Sequence, residues 1–412
     1  MSKWEWKKLG EVYDFTRGLT YSKKDEVESS SNCILRSNNI DLQTNSINLD
    51  ELKYIKDEID IPQEKYVRKN TILICMSNGS KAHLGKVAYI DKDYDFAFGG
   101  FMGLLKPKCE INGKFVHLYL CSDEYKIFIK SLSDGANINN LKFDDLRKFE
   151  IPFPPLSEQN RIVKFLDEEF SKIETLKTNA ETNLKNAKEL FETTLEKELN
   201  PLSRHSERSE ESSADLPSGW EWKKIGDFCE TSSGGTPLKQ HNEYYENGNI
   251  PWLRSGEVCQ KEIFETEMYI TQKGMENSSA KYFPENSVVV AMYGATAGQV
   301  GIVRFRTTTN QAVCGIFPNE KYKTEYLYYA LLSKKKELVA QAVGGAQPNI
   351  SQIKIRNLQI PLPPLSVQKE IVARLDKLTE NVKRLETNYK QIIANCDELK
   401  KSILKKTFEG ES

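Results

Sequence analysis

Two stretches of the chain carry apolar residues at helical spacing over about 40 residues each. In the more C-terminal one, Ile371, Leu375, Leu378, Val382, Leu385, Tyr389, Ile392, Cys396, Leu399 and Ile403 alternate spacings of four and three. That is the stripe a helix presents when it packs along its length against another helix. The same register moved back by 209 positions falls on Ile162, Leu166, Glu169, Ile173, Leu176, Ala180, Asn183, Ala187, Leu190 and Thr194, a smaller and more polar stripe. Each predicts a helix of roughly 60 Å at 1.5 Å per residue. Either helix alone would leave its stripe in water, so the two are expected to pair, with Asn183 placed to fix their register.

Ahead of each stripe the pattern changes to short β-branched and aromatic runs broken by Gly, Asn and Pro, with a few helical stretches such as Lys114 to Leu132 and Thr324 to Ala342. This predicts a mixed α/β domain. Ile151-Pro-Phe-Pro-Pro155 and Ile360-Pro-Leu-Pro-Pro364 then close the domains, because consecutive prolines lack N–H donors, and Ser157 and Ser366 are expected to N-cap the long helices. Residues 202–214 are polar, charged and nearly free of apolar side chains, which predicts a flexible linker. The fold class is α+β: two mixed α/β domains, each followed by a long helix, the helices pairing as an antiparallel coiled coil.

The two halves share more than a pattern. Trp4-Glu-Trp-Lys-Lys-Leu-Gly10 returns as Trp220-Glu-Trp-Lys-Lys-Ile-Gly226, and Asn70-Thr-Ile-Leu-Ile-Cys-Met76 as Asn286-Ser-Val-Val-Val-Ala-Met292, both 216 positions later. Leu35-Arg-Ser37 returns as Leu253-Arg-Ser255, and Ile151-Pro-Phe-Pro-Pro-Leu-Ser157 as Ile360-Pro-Leu-Pro-Pro-Leu-Ser366. Order and spacing persist over most of the chain, so it is an internal duplication.

Composition narrows the chemistry. The 412 residues hold 58 Lys plus Arg against 59 Asp plus Glu, a net charge of −1, which argues against a polycationic coat on nucleic acid. Eight cysteines without a CxxC pair and four histidines suggest neither a zinc site nor a disulfide framework, and a cytoplasmic home is expected. Gly79-Ser-Lys-Ala-His-Leu-Gly85-Lys86-Val87 resembles a phosphate loop but has five residues between the glycines and Val in place of the metal-binding hydroxyl. Its counterpart Gly294-Ala-Thr-Ala-Gly298 has no lysine, so the glycines read as backbone turns. No acid/base, zinc or nucleophile set recurs in both halves, and the chain is expected to be non-catalytic.

What differs between the halves is the polar loops: Ser37-Asn-Asn39 against Ser255-Gly-Glu257, and Ser77-Asn-Gly-Ser-Lys81 against Tyr293-Gly-Ala-Thr296. Amide, hydroxyl and guanidinium groups are the ones that pair with base edges, and equally the ones that build turns.

Gly234-Gly-Thr-Pro237, Ile250-Pro-Trp-Leu-Arg-Ser-Gly256, Ala291-Met-Tyr-Gly-Ala-Thr296, Thr309-Asn-Gln-Ala-Val-Cys-Gly315, Asn349-Ile-Ser351 and Ile360-Pro-Leu-Pro-Pro-Leu-Ser-Val-Gln368 carry a resemblance to the specificity subunits of type I restriction-modification systems. Leu35-Arg-Ser-Asn38, Asn139-Asn-Leu141 and Ile151 to Gln159 repeat it more loosely.

The resemblance implies two target-recognition domains, residues 1–156 and 216–365, with coiled-coil helices at 157–200 and 366–410 and a linker at 201–215. It further implies double-stranded DNA as ligand, each head reading half of a split asymmetric site. Two modification subunits would bring S-adenosylmethionine to methylate adenine, and restriction subunits would cleave with ATP and magnesium. The expected DNA-binding residues are Arg36, Asn38, Asn39, Asn78 and Lys81 in the first head and Arg254, Tyr293, Thr296 and Gln311 in the second, the arginines serving base or phosphate. Two alternatives stand beside this reading: a two-headed specificity protein of a related methylase-nuclease system that cuts on both sides of its site, and a coiled-coil scaffold that binds no DNA.

Overall fold

The computed structural model describes residues 4–42, 44–133, 140–200, 216–340 and 349–409. The expected linker, Asn139 and the end of the Thr324 to Ala342 stretch lie outside them. The chain divides into two compact units, residues 1–181 with 391–412 and residues 182–390.

Each half is built around one strand of unbroken apolar sequence. Thr71–Cys75 is buried along its whole length because successive side chains serve different cores. Ile72, Ile74 and Met76 point into a core shared with the helices, whereas Leu73 and Cys75 point into a second core between the sheets. Val288–Ala291 repeats the arrangement, with Val288, Val290 and Met292 on one side and Val289 and Ala291 on the other. Asn70 and Asn286 precede these strands at φ 65° and 66°, a left-handed conformation that Asn tolerates. Asn70 stays there because its amide accepts from Gly113 N (2.7 Å) and donates to Ile111 O (3.1 Å).

In the first half the central strand lies in an antiparallel sheet of order Tyr13–Arg17, Met102–Pro107, Thr71–Cys75, Val87–Ile90. A second sheet orders Glu26–Val27, Lys53–Ile55, Asn32–Leu35 and Phe96–Phe98, the last pair parallel. The second half repeats the scheme with Thr231–Ser233, Val313–Ile316, Val288–Ala291 and Val300–Val303, adding Glu262–Ile263 at one edge. Its other sheet is Tyr269–Ile270, Ile250–Leu253, Thr307–Thr309 and Tyr282–Phe283. The duplicated tryptophan motifs form Glu5–Lys8 and Glu221–Lys224, antiparallel to Glu150–Phe153 and Gln359–Leu362, which ties each domain's start to the residues entering its long helix.

The expected Lys114 to Leu132 helix is two helices, Gly113–Tyr119 and Asp123–Ser133. Asn112 caps the first, and Cys121 N and Ser122 N turn back to Leu118 O and Tyr119 O between them. Likewise Thr324–Ser333 and Lys335–Ala340 are separate.

The long helices span Leu156–Leu199 and Leu365–Glu409. They begin before Ser157 and Ser366, so neither serine is an N-cap: Pro155 O already accepts from Glu158 N (2.9 Å) and Gln159 N (3.0 Å), and Pro364 O from Gln368 N (3.0 Å). In the first unit Lys177 Nζ meets Asp397 (2.8 Å), and in the second Arg374 meets Glu198 (3.0 Å). Within the first unit Lys400 Nζ also lies 3.9 Å from Glu174, so partner numbers fall along one helix as they rise along the other and the helices run antiparallel there.

The stripe of the second helix follows the expected register except at Leu399, which is exposed. That of the first departs beyond Ile173: Leu176, Asn183 and Leu190 are exposed, while Lys177, Leu184 and Phe191 turn inward with Ala180 and Ala187. The alternation of four and three runs there in the opposite phase. Phe191 packs on the core of the second half beside Leu195 and Leu199, larger apolar anchors than Asn183 supplies. Among the described residues no helix is long and apolar enough to cross a membrane.

Candidate nucleic-acid interface

In the first head three loops meet at one end of the sheets. The chain leaves Asn32–Leu35 into a 3-10 turn at Ser37–Asn39 and leaves Thr71–Cys75 into the loop ending in the turn Lys81–His83. Asn78 Nδ2 donates to Ser37 Oγ (2.9 Å), joining the two. The third loop, residues 99–101, is held from both sides: Gly99 N donates to Leu35 O (2.9 Å), and Met76 N and Ser77 N donate to Phe101 O (2.9 and 3.1 Å).

Arg36, Asn38, Asn78 and Lys81 therefore belong to one surface, Asn38 and Lys81 exposed and the other two half-buried. The Arg36 guanidinium lies 3.6 Å from Glu26. Asn39 is different. It is 1% exposed, its Oδ1 accepts from Arg36 N (2.8 Å), and its Nδ2 donates to Asn48 O and Glu51 O (both 2.9 Å). Its amide is consumed in shaping the turn, which removes it from the expected DNA contacts. Lys86, the lysine of the phosphate-loop-like run, also points inward: it donates to Ile40 O (2.8 Å), and burial pulls its ammonium below the ordinary lysine range. Gly85, at φ 72°, lies so close to the Asp123–Ser133 helix that a Cβ would stand 2.7 Å from Ile129 Cγ1.

The second head assembles the equivalent loops from different residues. Arg254 caps the turn Ser255–Glu257, and the Glu257 carboxylate accepts from Arg254 N (3.0 Å), Arg254 Nε (3.3 Å), Thr266 Oγ1 (2.8 Å) and Glu267 N (2.9 Å). Burial works to raise this carboxyl, but the four hydrogen bonds overcome it and hold the group below its usual range. Arg254 is thus aimed by a half-buried carboxylate, its other edge resting on the exposed Glu267. Tyr293, exposed, leads into the turn Gly294–Thr296, and the Thr296 hydroxyl lies 3.4 Å from Tyr293 O. Exposed Gln311 accepts from the Thr236 hydroxyl, drawing the glycine loop Gly234 to Pro237 to this surface. Gly234 fits there only without a side chain, since a Cβ would stand 2.0 Å from Thr309 O.

Sequence reasoning missed Thr236, Glu257 and Phe101. Glu257 was findable as the acid three residues after Arg254 in a capping pattern. Nothing local marked Phe101, whose place depends on strands far apart in sequence.

A model of the family described as the type I restriction modification DNA specificity domain matches residues 1–186 and again residues 217–394. The chain belongs to that family. It is 26% identical to the StySPI specificity subunit of Salmonella potsdam, a type I restriction enzyme subunit, over 99% of this chain and 89% of the relative. With the EcoKI specificity subunit of Escherichia coli strain K12 it shares 24% identity over 97% and 87%. The HsdS subunit of Thermoanaerobacter tengcongensis has the same fold, with a TM-score of 0.62 at 19% identity over 100% and 98% of the two chains. A chain solved in work on complex assembly and conformational transition of the type I R-M system reaches 0.77 at 20% identity over 99% and 98%. Membership of the type I specificity family makes the chain a DNA target-recognition subunit that works with other restriction-modification subunits, where the catalysis resides.

Proposed function

We propose that each head reads one half of a split, asymmetric DNA site through its own loop cluster, with residues 1–156 and 216–365 as the reading domains, 157–200 and 366–410 as the coiled-coil helices that follow them, and 201–215 as a linker. One observation carries this reading: the two heads keep the same strands and turns but present different side chains at matching places, Asn38, Asn78 and Lys81 in one, Tyr293, Thr296 and Gln311 in the other. A shared scaffold with different polar tips suits two different target sequences. Arg36 and Arg254 stand at the same corner of the two heads, each restrained by carboxylates that a guanine edge or a phosphate would have to replace.

In this reading two modification subunits bind the chain and methylate adenine with S-adenosylmethionine, and restriction subunits cleave with ATP and magnesium. These cofactors belong to the partners, and the assembly works in the cytoplasm. Sequencing of modified adenines in DNA treated with the assembled complex tests the proposal. It predicts one asymmetric site of two half-sites, and exchange of residues 216–359 for those of a relative changes one half-site only. A change in both halves at once would refute independent heads, and an unmodified genome with no footprint would favour the scaffold.

A further inference from the structure

The first head presents a residue that none of its polar loops explains. Phe101 is 69% exposed at the tip of the loop between Phe96–Phe98 and Met102–Pro107. An exposed aromatic on a wandering loop would carry no argument, but this loop is pinned on every side. Phe101 O accepts the two backbone donors already described, Met102 N donates to Gly99 O (2.8 Å), and Arg17 Nε donates to Gly100 O (3.1 Å). Gly18 packs so tightly beneath it that a Cβ would stand 2.0 Å from Gly99 O. The ring is therefore held outward by a rigid backbone, and its carbonyl is bonded to the residue just before Asn78.

The duplication shows that the exposure is not demanded by the fold. Met292 N donates to Ala312 O as Met76 N donates to Phe101 O, which makes Ala312 the counterpart of Phe101 and Gln311 that of Gly100. The same corner thus carries an amide in one head and an aromatic in the other.

We infer that Phe101 is a specificity-determining residue of the first head, making apolar contact with the 5-methyl group of a thymine in the major groove. The inference rests on the reading that this loop cluster faces DNA. Its neighbours Arg36, Asn38 and Asn78 are of the types that bond guanine and adenine edges, and the apolar group on a base edge in that groove is the thymine methyl. An intercalating wedge is the other use of an exposed aromatic, but it would have to unstack bases.

The test uses the full chain with its restriction-modification partners and the half-site found by sequencing modified adenines. Each thymine of the first half-site, on either strand, is replaced singly by deoxyuridine, which lacks only the methyl. One replacement is expected to weaken binding about four-fold, the equivalent of about 0.8 kcal/mol for one buried carbon. Phe101→Ala should lose a comparable factor on the natural site and nothing further on that replaced site, whereas Phe101→Leu should keep the sensitivity. Thermal melting of both variants checks that the head is folded. Additive losses from Phe101→Ala and every deoxyuridine, undiminished binding by folded Phe101→Ala, or a half-site without an A·T pair would each overturn the inference. If Arg36→Ala and Asn78→Ala are equally without effect, it is the placement of the whole loop cluster on DNA that fails.

Discussion

The side-chain oxygen of Gln159 accepts the backbone N–H of Asn112 at 2.9 Å, while its Nε2 donates to Pro154 O at 2.8 Å. Gln159 is 1% exposed, so this one amide fastens the N-terminus of the Gly113–Tyr119 helix and the proline tract to the start of the long helix. Gln368 does the same in the other half, accepting from Lys323 N (2.8 Å) and donating to Pro363 O (2.8 Å). The duplicated Leu-Ser-x-Gln is therefore a joint between head and helix.

Gln159→Leu should destabilise the first unit by about 1–3 kcal/mol, because it strands the buried carbonyl of Pro154 and takes the partner from the part-buried N–H of Asn112. Gln368→Leu should do likewise in the second. Ser157→Ala, which removes no cap, should fall within about 0.5 kcal/mol of the parent. Denaturant titrations of the three variants check the ordering, and a costly Ser157→Ala would contradict it.

Adjacent asparagines should behave oppositely. Asn39→Ala leaves Arg36 N, Asn48 O and Glu51 O without their partner and is expected to cost about 1–3 kcal/mol of stability. Asn38→Ala should leave melting unchanged and weaken DNA binding. Paired melting and binding measurements decide, and a stable Asn39→Ala variant with impaired DNA binding would restore Asn39 to the reading surface.

Acid should loosen the first unit through His117. Its burial depresses the imidazole to about 4, although Asn45 O, 2.9 Å from Nε2, acts in the other direction. The folded state thus keeps His117 neutral while the unfolded chain takes up a proton below about pH 6.5. Since the unfolded state then binds more protons, this contribution is complete above pH 6.5 and is lost as pH falls towards 4, by about 2 kcal/mol at pH 5. His117→Gln should flatten that part of the stability curve. An identical decline in the variant would show that other groups cause it.

Arg254→Ala is expected to weaken DNA binding by about 1–3 kcal/mol and to relax the choice of one base pair in the second half-site if the guanidinium reads a base. A uniform loss over all sequences, with a shallower salt dependence, assigns it to phosphate instead. A binding selection over randomised half-sites separates the two.

The two long helices were readable from the sequence because each leaves a signal within a few turns of its own residues, and the duplication because the same motifs return in the same order. Thr71–Cys75 and Val288–Ala291 are continuous apolar runs whatever lies around them. The face a helix turns inward is a different matter. Asn183 and Leu190 are exposed while Leu184 and Phe191 turn inward, and Phe191 does so on a core assembled from the second half. The loops divide the same way. Asn38 and Asn39 are one residue type in one turn, and only the approach of Asn48 and Glu51 consumes one amide and leaves the other exposed. Phe101 looks like a core residue in its apolar run and becomes a surface one because Leu35, Met76 and Ser77 hold its backbone from behind. Local periodicity determined the elements; which loop side chains are left exposed was decided by hydrogen bonds and packing between segments far apart in the chain.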